Sequence, residues 1–120
     1  MLGPIEAIRV FTTDLPTARG FYSGTLGLPE TFADDGLAIF DTGQAKLVVE
    51  LLDADDPEAR ELVGRFAAFS FTVDSMQAAL AHLSGRPIRW VSQSERQAWG
   101  GIMSHFKDPD GNILTLVEYP

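Results

Sequence analysis

Two side chains near the end of the chain have the chemistry of a binding or catalytic site, namely His105 and Glu118. An imidazole gains or loses a proton near neutral pH, and a carboxylate is a common proton acceptor and metal ligand. His105 lies in a predicted strand over 101–107, and Glu118 stands near the end of a second, apolar strand over 113–119. A carboxylate at the end of an otherwise apolar strand requires a structural or a functional explanation.

The face of the strand on which His105 lies decides what it can do. If Phe106 packs against a helix, Met103, His105 and Lys107 point to the opposite face, because side chains alternate along a strand. His105 is then a candidate for three roles: an unusual metal ligand, a general base, or a hydrogen-bond donor to a ligand. The alternative is an ordinary, partly buried strand histidine. His82 lies on a predicted helix, away from this face.

A tight turn joins these two strands. Asp108, Pro109 and Gly111 occupy the first, second and fourth turn positions, which is the pattern of a type I turn. Gly111 can adopt a positive φ there. The pattern therefore predicts that the chain ends in a β-hairpin.

The chain contains two copies of one supersecondary pattern. An alternating strand over 5–12 leads to a helix with Asp14 as N-cap, and an alternating strand over 68–73 leads to a helix with Ser75 as N-cap. Three short strands follow each helix. Because a shift of 61 residues superposes the two starts, the sequence predicts a duplicated βαβββ unit.

These patterns define the domain organisation. They predict an α+β fold made of two βαβββ modules, 1–53 and 65–120, within one compact domain. The acidic segment 54–64 is interpreted as a linker, since no strong apolar stripe runs through it.

Composition narrows the classes of function. The net charge of −8 argues against nucleic acid and anionic membranes as partners, and it is compatible with a neutral or cationic small ligand. The absence of cysteine excludes disulfides and thiolate metal sites, and it fits a cytoplasmic location. No apolar run approaches the roughly 20 residues of a membrane span, and the first residues lack a signal-peptide pattern.

The motifs resemble the vicinal oxygen chelate superfamily, the group of glyoxalases, bleomycin-resistance proteins and extradiol dioxygenases. The resemblance covers almost the whole chain. It rests on Asp14-Leu15, Phe21-Tyr22 and Leu26-Gly27-Leu28 near the start, and on Trp99-Gly100-Gly101, Phe106–Asn112 and Glu118 near the end. It implies two curved mixed sheets around a ligand-binding cleft, with the helices on the convex side, and a homodimer.

The resemblance also implies metal ligands at four positions, which are Ala7, Glu50, Ala68 and Glu118 in this chain. Family members usually carry histidine at the two positions that open the modules, and both are alanine here. Two carboxylates without an imidazole make a poor transition-metal site, so we expect no metal cofactor. A hard divalent ion with added water ligands is the less favoured alternative.

The predicted binding face combines polar and apolar side chains: Arg9, Phe11, Val48, Glu50, Ser70, Trp99, Met103, His105, Leu116 and Glu118. Its two carboxylates have two explanations: either Arg9 pairs with one of them, or they receive a cationic or polyhydroxyl ligand. Trp90 and Trp99 are candidates for stacking on a planar ligand, or for packing in the core or a dimer interface. The segment 91–98 between them is interpreted as a mobile rim of the cleft.

Two functions fit these expectations best. One is a metal-independent protein that binds a small molecule, as bleomycin-resistance proteins sequester a drug without chemistry. The alternative is a lyase, isomerase or dioxygenase of the same superfamily that uses Glu118 and Glu50, with His105 as a further catalytic candidate. A non-catalytic accessory module is a third class, because fold does not fix function.

Overall fold

The computed structural model describes all 120 residues and divides them into two compact units, Met1–Gly64 (unit 1) and Arg65–Pro120 (unit 2). The strands are β1 Ala7–Thr12, β2 Glu30–Ala33, β3 Leu37–Asp41, β4 Lys46–Leu51, β5 Phe66–Thr72, β6 Arg89–Arg96, β7 Ile102–Lys107 and β8 Ile113–Glu118. The helices are α1 Leu15–Arg19, α2 Pro57–Leu62 and α3 Met76–Leu83. None of these helices has the length and apolar character needed to cross a bilayer.

The two units share one topology, as the repeat predicts. The sheet of unit 1 has the order β1-β4-β3-β2, and the sheet of unit 2 has the order β5-β8-β7-β6. In each sheet the first strand of the unit pairs in parallel with the last, and the other pairs are antiparallel. The predicted α+β fold with two βαβββ modules is therefore confirmed.

The two predicted N-caps open the helices that follow the first strands. The Asp14 carboxylate accepts a hydrogen bond from the Thr17 N–H at 3.2 Å, and the Ser75 hydroxyl accepts one from the Ala78 N–H at 3.1 Å. The α1 helix then continues into a π-helical segment, Gly20–Thr25, which ends where the Leu26 N–H bonds to a carbonyl five residues back. The repeat thus preserves the chemistry of the helix start and not only the order of the elements.

The helices cover one face of each sheet. In unit 1, α1 packs on β3 and β4; in unit 2, α3 packs on β7 and β8. The side chains buried between helix and sheet include Val10, Tyr22, Phe40, Leu47 and Val49 in unit 1, and Met76, Ser104, Phe106, Leu114 and Leu116 in unit 2. The opposite face of each sheet is the one on which the sequence places a binding site.

Two segments have more regular structure than the sequence indicates. Segment 54–64, interpreted as a linker, contains α2, whose N-cap Asp56 accepts from the Glu58 N–H at 2.9 Å. This helix packs on β1 and belongs to unit 1. Most of segment 91–98, interpreted as a mobile rim, lies in β6 and pairs with β7, although the ladder is irregular and Ser94 has a φ of 52°.

Candidate functional site

Unit 1 brings Arg9 and Glu50 together on the face opposite α1. In the parallel ladder of β1 and β4, Arg9 lies beside Val48 and Phe11 lies beside Glu50. We call the face formed by these four side chains the Arg9 face. The distance between Arg9 Nη1 and Glu50 Oε1 is 3.5 Å. Arg9 therefore supplies the balancing charge for Glu50.

The ion pair of Arg9 and Glu50 lies near the surface. The two side chains are 62% and 31% exposed, so the pair contributes about 0–1 kcal/mol at most. The pair matters for the charge of the face rather than for stability, because the Glu50 carboxylate already has a cationic neighbour. This geometry favours the structural explanation of the Glu50 carboxylate over a free anionic site.

The register of the closing hairpin separates His105 from Glu118. Across the antiparallel ladder of β7 and β8, His105 lies opposite Thr115, and Ser104 lies opposite Leu116. Directly opposite residues share a face, and Ser104 contacts the Met76 sulfur atom below α3 at 3.2 Å. Leu116 is therefore on the helix side of the sheet, and its predicted place beside His105 is wrong.

The carboxylate of Glu118 is used at the start of α3. Glu118 lies opposite Ile102 in the ladder and thus shares the helix side with Leu116. Its Oε1 accepts a hydrogen bond from the Met76 N–H, the first residue of α3, at 2.6 Å. A negative charge at a helix N-terminus is favourable, since the amide groups there have no intrahelical partners. The expected common face of His105 and Glu118 is therefore corrected.

The opposite face of unit 2 has a different polar group. The Nδ1 atom of His105 lies 2.9 Å from the Thr115 hydroxyl, and the ring of Phe66 packs against the imidazole with centroids 6.3 Å apart. Ser70 lies beside Thr115 in the ladder of β5 and β8. Met103 and His105 alternate with the buried Ser104 and Phe106. The face formed by Phe66, Ser70, Met103, His105 and Thr115 is called the His105 face below.

Both tryptophans have partners within unit 2. Trp90 packs against Phe106 with ring centroids 5.5 Å apart, which places it on the helix side. Trp99 is half exposed and packs against Tyr119 with centroids 5.7 Å apart. The indole of Trp99 also lies directly over the Cα of Gly101, where any side chain would collide with it. In the Trp-Gly-Gly motif, Gly101 thus leaves the space in which the indole of Trp99 packs.

The residues present do not fit the metal that the superfamily resemblance implies. Ala7 and Ala68 offer no donor atom, Glu50 is paired with Arg9, and Glu118 binds the start of α3. No group of three or more His, Asp or Glu side chains is arranged to hold a metal ion. A transition-metal site in proteins takes about three such ligands, commonly with imidazoles among them.

Comparison with known proteins establishes the family. The sequence model of the Glyoxalase/Bleomycin resistance protein/Dioxygenase superfamily matches residues 4–116. The chain belongs to this superfamily. The chain is 26% identical over 123 aligned residues to the uncharacterized protein YraH of Bacillus subtilis, and the alignment covers 92% of this chain and 94% of that protein.

Solved structures of superfamily members have the same fold. A member of the superfamily from Sphaerobacter thermophilus matches with a TM-score of 0.80 and 23% identity, covering 98% of both chains. A lactoylglutathione lyase from Agrobacterium tumefaciens matches with a TM-score of 0.73 and 21% identity, covering 98% of this chain and 95% of that one. At this level of identity the likeness concerns the fold alone.

Thr115 and Phe66 are site candidates that the sequence did not indicate. A threonine in an apolar strand and a phenylalanine at the start of another are ordinary strand residues. Only the pairing of β8 with β7 and β5 brings both of them beside His105.

Proposed function

We propose that this chain binds a small organic molecule without catalysing a reaction and without the superfamily's usual metal. The observation that carries the proposal is the hydrogen bond from the Met76 N–H to Glu118, because it commits to α3 the carboxylate that a metal would need. Sequestration of a drug-like compound in the cytoplasm is the form of binding that we propose.

The side chains on the sheet faces support binding of an organic molecule. Small-molecule sites are mostly apolar and aromatic, with a few polar groups that fix the orientation of the ligand. Phe32 and Phe66 are large apolar side chains that are about half exposed. On the His105 face, Phe66 lies next to the polar groups of His105, Thr115 and Ser70.

An enzymatic function in the same superfamily is the second candidate. In its metal-dependent form, Glu50 would have to leave Arg9 and Glu118 would have to leave α3, which costs two existing interactions. A metal-free acid–base enzyme with His105 as the base avoids this cost, because His105 bonds only to a neutral hydroxyl. Turnover separates it from a binding protein.

A ligand screen tests the proposed function. We expect planar aromatic compounds from a diverse panel to raise the Tm of the purified chain, since a ligand that binds only the folded state stabilises it. We expect no chemical change in a bound compound by mass spectrometry after long incubation. A panel in which no compound shifts the Tm contradicts binding, and conversion of any compound contradicts the absence of catalysis.

Metal content is measured in parallel on protein purified without chelator and without a histidine tag. We expect well under one equivalent of any transition metal per chain, including after supplementation of the growth medium. One equivalent that is lost in Glu118→Gln would contradict the proposal and favour the metalloenzyme.

A further inference from the structure

One nitrogen of the His105 imidazole is hydrogen-bonded within the protein, and the other is available to a ligand. Nδ1 lies 2.9 Å from the Thr115 hydroxyl, and the Phe66 ring packs against the imidazole. Nε2 forms no hydrogen bond in the structure. Thr115 is almost fully buried, so its hydroxyl is a fixed point, and His105 is only partly buried. The ring is therefore oriented by the protein with a polar atom left for another molecule.

The neighbouring strand has a second polar atom without a partner. Ser92 is the partner of His105 in the ladder of β6 and β7, and its hydroxyl oxygen is the one buried side-chain polar atom in the structure that forms no hydrogen bond. Native proteins rarely leave such atoms unsatisfied, and one that remains requires an explanation. The Nε2 atom of His105 on β7 and the hydroxyl of Ser92 on β6 are thus two polar groups on paired residues that have no hydrogen-bond partner.

The charges around His105 do not favour a cation. Lys107 lies on the same face two residues along β7, and Arg89 is its partner on β6. Glu95 is the nearest carboxylate in the ladder, opposite Met103. Unit 2 contains five Lys and Arg residues and five Asp and Glu residues, so the net charge of −8 lies entirely in unit 1. The acidity of the chain therefore says nothing about a ligand on unit 2.

We propose that the His105 face binds a hydroxylated aromatic molecule, with the ring of the ligand against Phe66 and its phenol group hydrogen-bonded to His105 Nε2. This inference rests on the proposed function and names the ligand class and the polar contact. A phenol fits because it donates and accepts hydrogen bonds. The phenol O–H can donate to Nε2 when Nδ1–H donates to the Thr115 hydroxyl. The phenol oxygen can accept from Nε2–H when the Thr115 hydroxyl donates to Nδ1.

Three aromatic probes with one scaffold test this assignment by isothermal titration calorimetry: naphthol, methoxynaphthalene and naphthylmethylammonium. We expect naphthol to bind the wild-type protein more tightly than the methyl ether, which cannot donate, and more tightly than the cation. In His105→Ala, naphthol should bind roughly three- to tenfold more weakly, as expected for one hydrogen bond between neutral groups. Thr115→Val should weaken naphthol binding as well, because it removes the hydroxyl that orients the imidazole.

His82→Ala is the matched control. His82 lies on α3, where its nearest polar neighbour is Arg86 at 3.4 Å, and we expect this variant to bind naphthol like wild type. NMR signals of the imidazole nitrogens give a readout that needs no variant. Addition of naphthol to wild-type protein should shift the ring nitrogens of His105 and leave those of His82 in place.

The outcomes separate this inference from the proposed function. If aromatic probes bind but His105→Ala binds them as wild type does, or if the His105 ring nitrogens do not shift, the assignment of the ligand contact is overturned and binding itself stands. Tighter binding of the cation overturns the ligand class. If neither these probes nor the wider panel bind the wild-type chain, the proposed function fails as well.

Discussion

The carboxylate of Glu118 joins the end of the last strand to the start of α3. The Met76 N–H, which donates to it, is one of the amide groups that an isolated helix leaves without a partner. Ser75 satisfies a second such group, that of Ala78. A carboxylate that reaches the helix start from a neighbouring strand thus acts together with the local N-cap.

Removal of this carboxylate should destabilise the protein. We expect Glu118→Ala to lower the free energy of unfolding by about 1–2 kcal/mol, the usual cost of losing a cap or a charged hydrogen bond. Glu118→Gln should cost less, because its amide oxygen still accepts but carries no charge. Urea unfolding near neutral pH measures both, with Glu95→Ala on β6 as the exposed control. Wild-type stability in Glu118→Ala would show that this hydrogen bond does not stabilise the start of α3.

The face of Glu118 depends on one extra residue in the turn of its own hairpin. Five residues, 108–112, separate Lys107 from its partner Ile113, with Gly111 at a φ of 85°, and counting outward from this pair brings His105 to Thr115. Glu118 then falls opposite Ile102, on the other face. Assigning Glu118 by family position instead of by this count put it on the wrong face, because a shift of one residue exchanges the two faces of a strand.

At the scale of elements, the duplicated pattern was predictable and the irregular segments were not. Alternating strands, N-cap residues and glycine turns are local features, and both N-caps formed as predicted. The strand β6 is polar along most of its length, so it lacks an apolar strand pattern, and it forms because its backbone pairs with that of β7. The short α2 helix has a cap and an early proline, but only its packing on β1 makes it stable.

An ion pair between two elements of unit 1 should make stability depend on pH. Arg19, at the end of α1, donates to both carboxylate oxygens of Glu30, at the start of β2, over 2.7 and 2.8 Å. These hydrogen bonds hold the pKa of the Glu30 carboxyl below its ordinary value of 4.5. Because the pKa is lowered in the folded state, the pair stabilises the protein fully above the ordinary value. The contribution is lost as the pH falls through the lowered value.

The variant Glu30→Gln measures this contribution. We expect it to be less stable than wild type near neutral pH by up to about 1 kcal/mol, since the two side chains are 42% and 25% exposed. The difference should shrink as the pH falls below 4.5 and close once the pH has passed through the lowered pKa of the Glu30 carboxyl. Urea unfolding across this range is the measurement, and Glu95→Gln is the exposed control. A difference that stays constant with pH would show that the charge of Glu30 is not its source.

At the scale of the whole molecule, the negative charge has a structural role in unit 1. Several of its aspartates accept backbone hydrogen bonds at turns or helix starts: Asp14, Asp34, Asp41, Asp53 and Asp56. Short polar side chains are favoured at such positions because they satisfy amide groups that lack a partner. The acidity that suggested a cationic ligand from composition is therefore explained in large part by the chemistry of turns.

We propose that the chain forms a homodimer in solution. Each four-stranded sheet has two outer strands with unpaired backbone groups on one side, and proteins usually cover such edges. Apolar side chains also remain exposed on outer strands, among them Phe32 on β2 and Val91 on β6.

Light scattering after size-exclusion chromatography should give twice the chain mass of 13.1 kDa at micromolar concentration. Val91→Lys should shift the mass toward the monomer if β6 lies in the contact, because the dimer would then bury an unpaired charge. Gln93→Lys on the same strand tests for an effect of charge alone. A monomeric mass for the wild-type chain throughout the micromolar range would refute the dimer.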